Sequence, residues 1–375
     1  FSDLSQIIKT NINKLKFFDE RLKNSRKSTF PIDANFKLFD HNKIYIVNGF
    51  VNSVNFEYEE MDKIIIEKNI KTNDLTKKNS LVSLNNAFVV NSLKITVKEN
   101  YIFKKPLIIY NIVNKQAEST VINEKVDLVL EKSSKIKIIY ISDDYSDRNF
   151  INVNHQFKIG ENAILKNYVL DYKDNLNIKY FYKNIDLGKN SIAENFILSC
   201  GSKFIKNEIN CNLNDEYSSA FINGAINLND SNHHEIKTNI NHLVENTKSY
   251  QLIKSVLDSS SKAVYQGKIY VDKDAQKTDG YQLSKAVLLN EDSEFNAKPE
   301  LEIYADDVKC SHGSASGSLN ENSIFYLRSR GLSYKEAKDL LIKGFLLDVI
   351  EKITDEEIKN IIKFKMGLSR WILKK

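Results

Sequence analysis

Cysteine is scarce in this chain of 375 residues and occurs only as Cys200, Cys211 and Cys310. An odd number of cysteines without a C-x-x-C spacing indicates neither a disulfide framework nor a self-contained zinc site. Free thiols of this kind are typical of a reducing compartment. The first residues also lack the basic, apolar and small-residue succession of a signal peptide. The sequence therefore favours a cytoplasmic location.

Long apolar runs and strong net charge are also missing. No run approaches the roughly 20 apolar residues that a membrane-spanning helix needs. The formal net charge is +5 and the isoelectric point is near 8.7, with lysine and asparagine scattered along the chain. Without a basic block, the composition does not indicate nucleic-acid binding. The hydrophobic content of 42% is that of an ordinary globular protein, which at this length forms one large or two ordinary domains.

Two nucleotide-binding motifs are absent as well. Gly188 and Lys189 are followed by asparagine and lack the upstream glycine of a P-loop, and no G-x-G-x-x-G run opens a strand-to-helix unit. We therefore expect no P-loop and no ATP site of its own in this chain, so any ATP hydrolysis must come from a partner. The segment from Gly313 to Gly317 is interpreted as a tight turn out of the preceding β-structure.

Two different periodicities divide the chain. Apolar residues recur at steps of three and four over residues 4–22, which predicts an amphipathic helix. After Pro31, alternating β-branched and aromatic runs predict strands. These runs cover residues 43–47, 88–97, 107–113, 126–141, 150–159, 163–172 and 180–187. No convincing helix is predicted between Leu107 and Ala315.

Short polar turns punctuate the strands at a constant interval. The turns at Lys132, Gly160 and Gly188 are 28 residues apart, and similar turns stand at 258–261, 272–274 and 290–293. Equal spacing of this length is typical of a solenoid, whereas turns in a sandwich or barrel recur every ~8 to 12 residues. The pattern predicts a parallel β-helix, with coincidence as the alternative. Because a solenoid has open ends, we expect the helical termini to cap them.

Helix signals return at the C-terminal side. Gly331 is expected to end a first helix. Two capping boxes are predicted, Ser333 with Glu336 and Thr354 with Glu357. Between them, six apolar residues form one broad helical face: Ala337, Leu340, Leu341, Phe345, Leu347 and Val349.

The fold class predicted from these patterns is mainly β, with α-helical N- and C-terminal regions. We divide the chain into an N-terminal helical region (1–40), a β-helix core (41–318) and a C-terminal helical domain (319–375).

One strand-like run carries a thiol and an imidazole at its end. Residues 301–311 alternate in polarity and lead into Cys310 and His312. Side chains two apart on a strand share a face, so the two groups converge on one spot. Sulfur and imidazole nitrogen bind iron and zinc, but an iron-sulfur cluster takes four ligands, so further ligands must come from elsewhere. The alternative is simple packing, because free cysteine is often buried.

The other thiols and histidines fit a structural role better. Cys200 and Cys211 are interpreted as buried small residues. His233, His234 and His242 are spaced neither as one helical face nor as a zinc finger, so metal binding there is not expected.

Asp306 and Asp307 suggest a second function. Paired acids in a β-helix are found in polysaccharide hydrolases of the polygalacturonase type, where they activate water and protonate the leaving group. Adjacent residues on one strand face opposite sides, which argues against this hypothesis unless the chain bulges there.

Two segments resemble the SufB/SufD family of iron-sulfur cluster assembly scaffold proteins. They are QLSKAVLLNEDSEFNAKPELEIYADDVKCSHG and NSIFYLRSRGLSYKEA, in which the runs 309–313 and 327–331 fit the SufD branch of the family. The resemblance is specific over about residues 220–350. It implies a right-handed β-helix, and it implies packing and turn hydrogen bonds for the histidines of residues 233–242.

The resemblance also implies a scaffold without catalytic turnover. Cys310 and His312 would lie at the interface with a SufB-like subunit, whose cysteine and acidic residues complete a transient iron-sulfur cluster site. The C-terminal helices would hold a SufC-like ATPase. The region of this chain on which the ATPase docks would include Tyr326, Arg328, Arg330, Gly331, Ala337, Leu341 and Phe345. A reduced flavin has been linked to complexes of the family, but no pattern in this chain identifies a flavin site.

Overall fold

The computed structural model describes residues 39–70 and 79–368, so the helix predicted over residues 4–22 lies outside the described residues. Within these ranges the chain forms nineteen strands and four α-helices. The strands are β1 (Asn42–Val47), β2 (Phe50–Asn55), β3 (Ile64–Lys68), β4 (Ser92–Val97), β5 (Leu107–Val113), β6 (Val121–Leu130), β7 (Lys135–Asp144), β8 (Phe150–Ile159), β9 (Ile164–Asp171), β10 (Ile178–Leu187), β11 (Ile192–Ser199), β12 (Phe204–Leu213), β13 (Ser219–Leu228), β14 (His233–His242), β15 (Lys248–Leu257), β16 (Lys262–Val271), β17 (Thr278–Leu288), β18 (Glu294–Ile303) and β19 (Val308–Gly317). The helices are α1 (Ser80–Phe88), α2 (Glu321–Ser329), α3 (Tyr334–Ile350) and α4 (Glu356–Lys365). None of the described helices is long and apolar enough to cross a bilayer.

The strands form two sheets in which chain order alternates. One sheet holds the odd-numbered strands from β5 to β19 together with β1 and β2, and the other holds the even-numbered strands from β4 to β18 together with β3. Neighbours are parallel except at the first edges, where β1 pairs with β2 and β3 pairs with β4 antiparallel. Each coil therefore contributes one strand to each sheet. The predicted mainly β fold with a parallel β-helix core is confirmed, and its right-handed sense stays a prediction from the resemblance.

The polar turns of constant spacing stack on one another. Ser133, Asn162 and Asn190 have φ angles of 58°, 56° and 56°. This is the left-handed region, which asparagine adopts more readily than most residues. The amide of Ser133 donates to the carbonyl of Glu161 at 2.7 Å, and the amide of Asn162 donates to the carbonyl of Lys189 at 2.8 Å. Each turn is thus bonded to the next coil, and 28 residues is the length of one coil here.

Several predicted boundaries are wrong. The run 88–97 begins at the end of α1, the run 126–141 spans β6 and β7, and the run 301–311 spans the corner between β18 and β19. β19 continues to Gly317, so the segment from Gly313 onward is a strand and not a tight turn. A strand of small residues pairs through its backbone, which leaves little signal in side-chain propensities.

The helices α3 and α4 lie on the outer face of the odd-strand sheet. Leu346 of α3 packs in one apolar cluster with Leu252 of β15. The ammonium of Lys254 lies 2.6 Å from the carboxylate of Asp348, which fixes α3 to the same strand. The prediction that the C-terminal helices cap the open end is therefore wrong for α3 and α4. Apolar side chains on the outside of the sheet give α3 a surface on which to pack.

α4 begins one residue later than predicted, because Asp355 and not Thr354 is its N-cap. The Asp355 carboxylate accepts a hydrogen bond from the amide of Ile358 at 3.2 Å and also contacts Lys137 of β7. The hydroxyl of Thr354 donates to Glu194 at 2.9 Å instead. Asp355 is favoured at this position because its carboxylate binds the amide of Ile358 and the ammonium of Lys137 at once.

Asp355→Ala should therefore lower the free energy of unfolding by about 1–2 kcal/mol, the usual effect of losing an N-cap. Thr354→Val, the matched control, should change it by no more than ~1 kcal/mol, because the two hydrogen bonds that are lost, to Glu194 and from Lys166, are exposed to solvent. Urea unfolding followed by circular dichroism measures both. Equal losses in the two variants would contradict this assignment of the cap.

Candidate functional site

The last coil of the β-helix is open. β18 and β19 end their sheets, and no strand within the described ranges pairs with their outer edges. β18 carries Pro299 among charged residues, and both features discourage pairing at an edge. β19 has no proline, and after Lys309 it consists of Cys310, His312 and small residues. β19 is thus the more available edge for a further strand.

Cys310 points toward the inside of this open coil. Its partner across the strands is Gly280 of β17, and a Cβ added to that glycine would lie 3.2 Å from the Cys310 sulfur. The half-buried side chain packs with Ile269 and Val271 of the opposite sheet. Burial raises the pKa of the Cys310 thiol, against a lowering by the hydrogen bond with the Gly280 backbone, and Asp279 raises it further. The sulfur is thus protonated at neutral pH until a metal ion displaces the proton.

His312 lies on the same side of β19 as Cys310 and is exposed to solvent. Its partner across the strands is Gln282, which is fully buried. The Gln282 amide donates to the carbonyl of Glu300 at 3.2 Å and accepts from the hydroxyl of Tyr265 at 3.1 Å, both across the interior. His312 therefore lies next to a hydrogen-bonded polar side chain at the open end of the coil.

The pair supplies two metal donors and no more. In the part of the chain that the structure describes, no three side chains among histidine, cysteine, aspartate and glutamate come together in a metal-binding group. An iron-sulfur cluster normally takes four protein ligands. Cys310 and His312 could therefore hold such a cluster only with donors from outside the described residues.

The other two thiols lie away from the open coil. Cys211 is buried in the interior core on β12, three strands from the end of its sheet. Cys200 follows β11 and packs against the cluster below the C-terminal helices. Burial raises the pKa of Cys200 to about 12 and also raises the pKa of Cys211. Both are inert small residues, in agreement with their interpretation from the sequence.

His234 and His242 of β14 hydrogen-bond within the coils, whereas His233 lies 3.2 Å from the Glu235 carboxylate. His234 contacts the Ser199 hydroxyl at 2.8 Å, and His242 lies between the hydroxyls of Thr247 and Ser249 at 2.7 and 2.9 Å. Burial lowers the pKa of His234 to about 4 and that of His242 to about 3. Both rings are neutral at pH 7 and serve packing and turn formation.

Asp306 and Asp307 lie in the exposed corner between β18 and β19, outside either strand. The argument from opposite strand faces therefore does not apply to them. Their segment holds the corner instead: the Asp307 amide donates to the Gln276 side chain at 2.9 Å, and its carbonyl accepts from Lys277 at 2.6 Å. Nothing in this arrangement favours the hydrolase hypothesis.

A second surface is formed by α2. Tyr326, Arg328, Arg330 and Gly331 are all exposed, and the Arg330 guanidinium lies 5.2 Å from the centre of the Tyr326 ring. Phe325, 73% exposed, is a further apolar residue here that the sequence prediction missed. Adjacent aromatic residues on a short helix point about 100° apart, so they cannot both be buried against one neighbour. Exposed aromatic residues and arginines are typical anchors of protein interfaces.

The other three predicted docking residues differ in their exposure. Leu341 is half-buried and lines a groove of about 450 Å³ between α2 and α3 together with Tyr326. Ala337 is fully buried. Phe345 packs below the Lys254 ammonium, which lies 4.4 Å from the centre of its ring. Ala337 and Phe345 therefore pack α3 against the rest of the protein.

Comparison with known proteins identifies the family. The model of the SufBD core domain, described as SUF system FeS cluster assembly, matches residues 111–345, which is more than half of the chain. SufD of Escherichia coli (strain K12), an iron-sulfur cluster assembly protein, is 30% identical over 220 residues, which are 59% of this chain and 52% of that protein.

Two further relatives agree. An iron-sulfur cluster assembly SufBD family protein of Synechocystis is 28% identical over 286 residues, 72% of this chain and 62% of that protein. The chloroplastic protein ABCI7 of Arabidopsis thaliana is 42% identical over 113 residues, 30% of this chain and 24% of that protein. The matches thus span about half to three-fifths of the two longer-matching relatives. The chain belongs to the SufBD family of the SUF system for iron-sulfur cluster assembly.

Proposed function

We propose that this chain is a SufD-like scaffold subunit without catalytic turnover, acting in the cytoplasm. It pairs with a SufB-like subunit through its open last coil and holds a SufC-like ATPase through its C-terminal helices. Cys310 and His312 supply two of the ligands of a transient iron-sulfur cluster, which is the cargo of the complex. The remaining ligands come from the SufB-like subunit.

The observation that carries this proposal is the position of the two donors on an unpaired edge. Cys310 and His312 face the inside of a coil whose end is open, on the strand that lacks proline. A partner strand along β19 would close the sheet and bring its own side chains opposite the pair. Two donors from each side then complete the four that a cluster needs.

Docking of the ATPase is supported by the exposed surface of α2. Phe325, Tyr326 and Arg330 present aromatic and cationic groups without burial in this chain. α3 next to it is fixed to β15 by Lys254, so movement of a protein bound at α2 would be transmitted to the β-helix.

Co-expression with the SufB-like and SufC-like proteins of the same organism, followed by anaerobic purification, tests the proposal. We expect one complex containing all three chains by mass spectrometry, with visible iron-sulfur absorbance. Replacing both donors, Cys310→Ser with His312→Ala, should lower the iron content of the complex at least several-fold, because two of four ligands are lost. Cys200→Ser is the matched control and should leave the iron content unchanged.

The outcomes separate the two claims. A monomer that ignores both candidate partners would refute the scaffold role. A complete complex whose iron content survives loss of both donors would refute the site and leave the scaffold role standing.

A further inference from the structure

A cavity of about 460 Å³ lies between the outer face of the odd-strand sheet and the segment that joins α3 to α4. Its walls come from five neighbouring strands of the odd-strand sheet, β9, β11, β13, β15 and β17, and from Lys352, Ile353 and Thr354. This volume is typical of small-molecule sites. The cavity is separate from Cys310 and His312, which face the inside of the coil.

Stacked aromatic side chains form one wall of the cavity. Phe221, Tyr250 and Tyr281 stand opposite one another on β13, β15 and β17. The rings of Tyr250 and Tyr281 are nearly parallel, with centres 5.2 Å apart and planes at 21°. The two rings thus face each other and present their edges to the cavity, where the face of a planar ring can pack against them.

The next row of side chains carries buried polar atoms without partners. Tyr168 is 2% exposed and Asn223 is 8% exposed, and both line the cavity. Neither the Tyr168 hydroxyl nor the Asn223 side-chain oxygen has a hydrogen-bond partner among the described residues. Leaving such groups unpaired is unfavourable, so the cavity suits a ligand that supplies polar hydrogens and acceptors.

The charges at the rim leave an excess of positive charge. Lys248 and Lys352 are exposed there, and the Lys352 ammonium lies 5.7 Å from the centre of the Tyr250 ring. Asp279 stands opposite Lys248 and offsets one charge. Glu194 already accepts the Thr354 hydroxyl and lies 3.5 Å from the ammonium of Lys166. A ligand with one anionic group fits this balance.

We propose that this cavity binds an adenine nucleotide. The adenine ring lies across the edges of the Tyr250 and Tyr281 rings, its amino group donates to the Asn223 oxygen, and the Tyr168 hydroxyl donates to a ring nitrogen. Pairing of an asparagine amide with adenine is a geometry that proteins use in nucleic-acid recognition. The phosphate lies near Lys248 and Lys352, so no P-loop is needed. This inference is independent of the proposed function.

Isothermal titration calorimetry of the full chain with AMP tests the site. AMP should bind in a salt-dependent way, and adenosine should bind at least several-fold more weakly because it lacks the phosphate. GMP should bind about tenfold or more weakly, because its carbonyl oxygen opposes the unpaired Asn223 oxygen.

Two pairs of variants locate the binding. Lys352→Ser should weaken AMP several-fold, whereas Lys335→Ser on the exposed side of α3 should not change it. Tyr250→Leu should weaken AMP about tenfold, and Tyr304→Leu, an exposed tyrosine outside the cavity, is its control. Because Lys352 is on the surface, its variant keeps the test valid if Tyr250→Leu fails to fold. Absence of AMP binding, equal binding of AMP and GMP, or unchanged binding by Lys352→Ser would overturn the proposal.

Discussion

Lys183→Met should raise the stability of this protein at pH 7. Lys183 lies on β10, is 6% exposed and faces the interior of the β-helix. The described residues place no carboxylate within ion-pair distance of its ammonium, which lies 5.5 Å from the centre of the Phe157 ring. Burial lowers the pKa of Lys183 to about 7. An ammonium held in an apolar interior without a counter-charge is a defect that methionine removes while it keeps a similar length.

The expected gain follows from the pKa change. A fall in the pKa of Lys183 from 10.5 to about 7 lowers the free energy of unfolding below pH 7 by ~5 kcal/mol, at about 1.4 kcal/mol per pKa unit. Methionine will not fill the site perfectly, and this reduces the gain in the free energy of unfolding. We therefore expect a gain of about 3 kcal/mol. For a chain of this length that is roughly 4 °C in Tm.

The pH dependence gives a second readout. Between pH 7 and 10.5 the unfolded chain binds the Lys183 proton and the folded chain does not, so the stability of the native sequence rises with pH in this window. Lys183→Met lacks this contribution. The difference in Tm between the two proteins should therefore be largest at pH 7 and below, and should shrink toward pH 10.

Lys158→Met on β8 is the matched control, because Lys158 is exposed on the same sheet. It should change the free energy of unfolding by no more than ~0.5 kcal/mol at either pH. A loss of stability in Lys183→Met would show that the ammonium is stabilised where it lies.

The β-helix was predictable because the constant spacing of the polar turns equals the length of one coil. Lys132, Gly160 and Gly188 mark successive coils, and each turn must repeat the same backbone geometry to bond to its neighbour. α1 was missed because residues 80–88 continue an apolar pattern into β4 without a glycine or proline between them. The position of the C-terminal helices was also beyond the sequence, because a polarity pattern shows that α3 has an apolar face and not which surface covers it.

The site was predictable only in part. The period of a strand places Cys310 and His312 on one side, and the structure agrees. The open end of the coil next to them depends on how the coils stack in three dimensions, which the local sequence does not show. The aromatic wall formed by Phe221, Tyr250 and Tyr281 was missed although these residues are separated by about one coil length each. Comparing equivalent positions of successive coils would have found it, whereas a search for local motifs cannot.

The interior lysines were beyond the sequence for a different reason. On β10 both faces are covered, because Tyr180 on the outside packs against Leu81 and Leu84 of α1. Alternation then no longer separates apolar from polar positions. The polarity pattern therefore does not mark Lys179 and Lys183 as buried, although both are.

Lys179→Met should have the opposite effect to Lys183→Met and lower the free energy of unfolding by about 3–5 kcal/mol. Lys179 lies four residues earlier on the same face of β10. Its ammonium is 2.6 Å from Asp144 and also contacts Asp171, and all three groups are buried. Burial alone would lower the pKa of Lys179, but the two carboxylates outweigh it and raise the pKa. Methionine would leave two buried carboxylates without their counter-charge, and Tm should fall by roughly 5 °C.

The triple variant Lys179→Met, Asp144→Asn, Asp171→Asn is the control for this prediction, because it removes the charges together. It should recover most of the loss, since neutral side chains carry no comparable burial penalty. The Asp171 position also keeps its contact with the Ser202 hydroxyl. If the single and triple variants unfold at the same temperature, side-chain volume and not charge determines stability here. If they differ as expected, one substitution at two buried positions of one strand acts in opposite directions, because carboxylates surround only one of them.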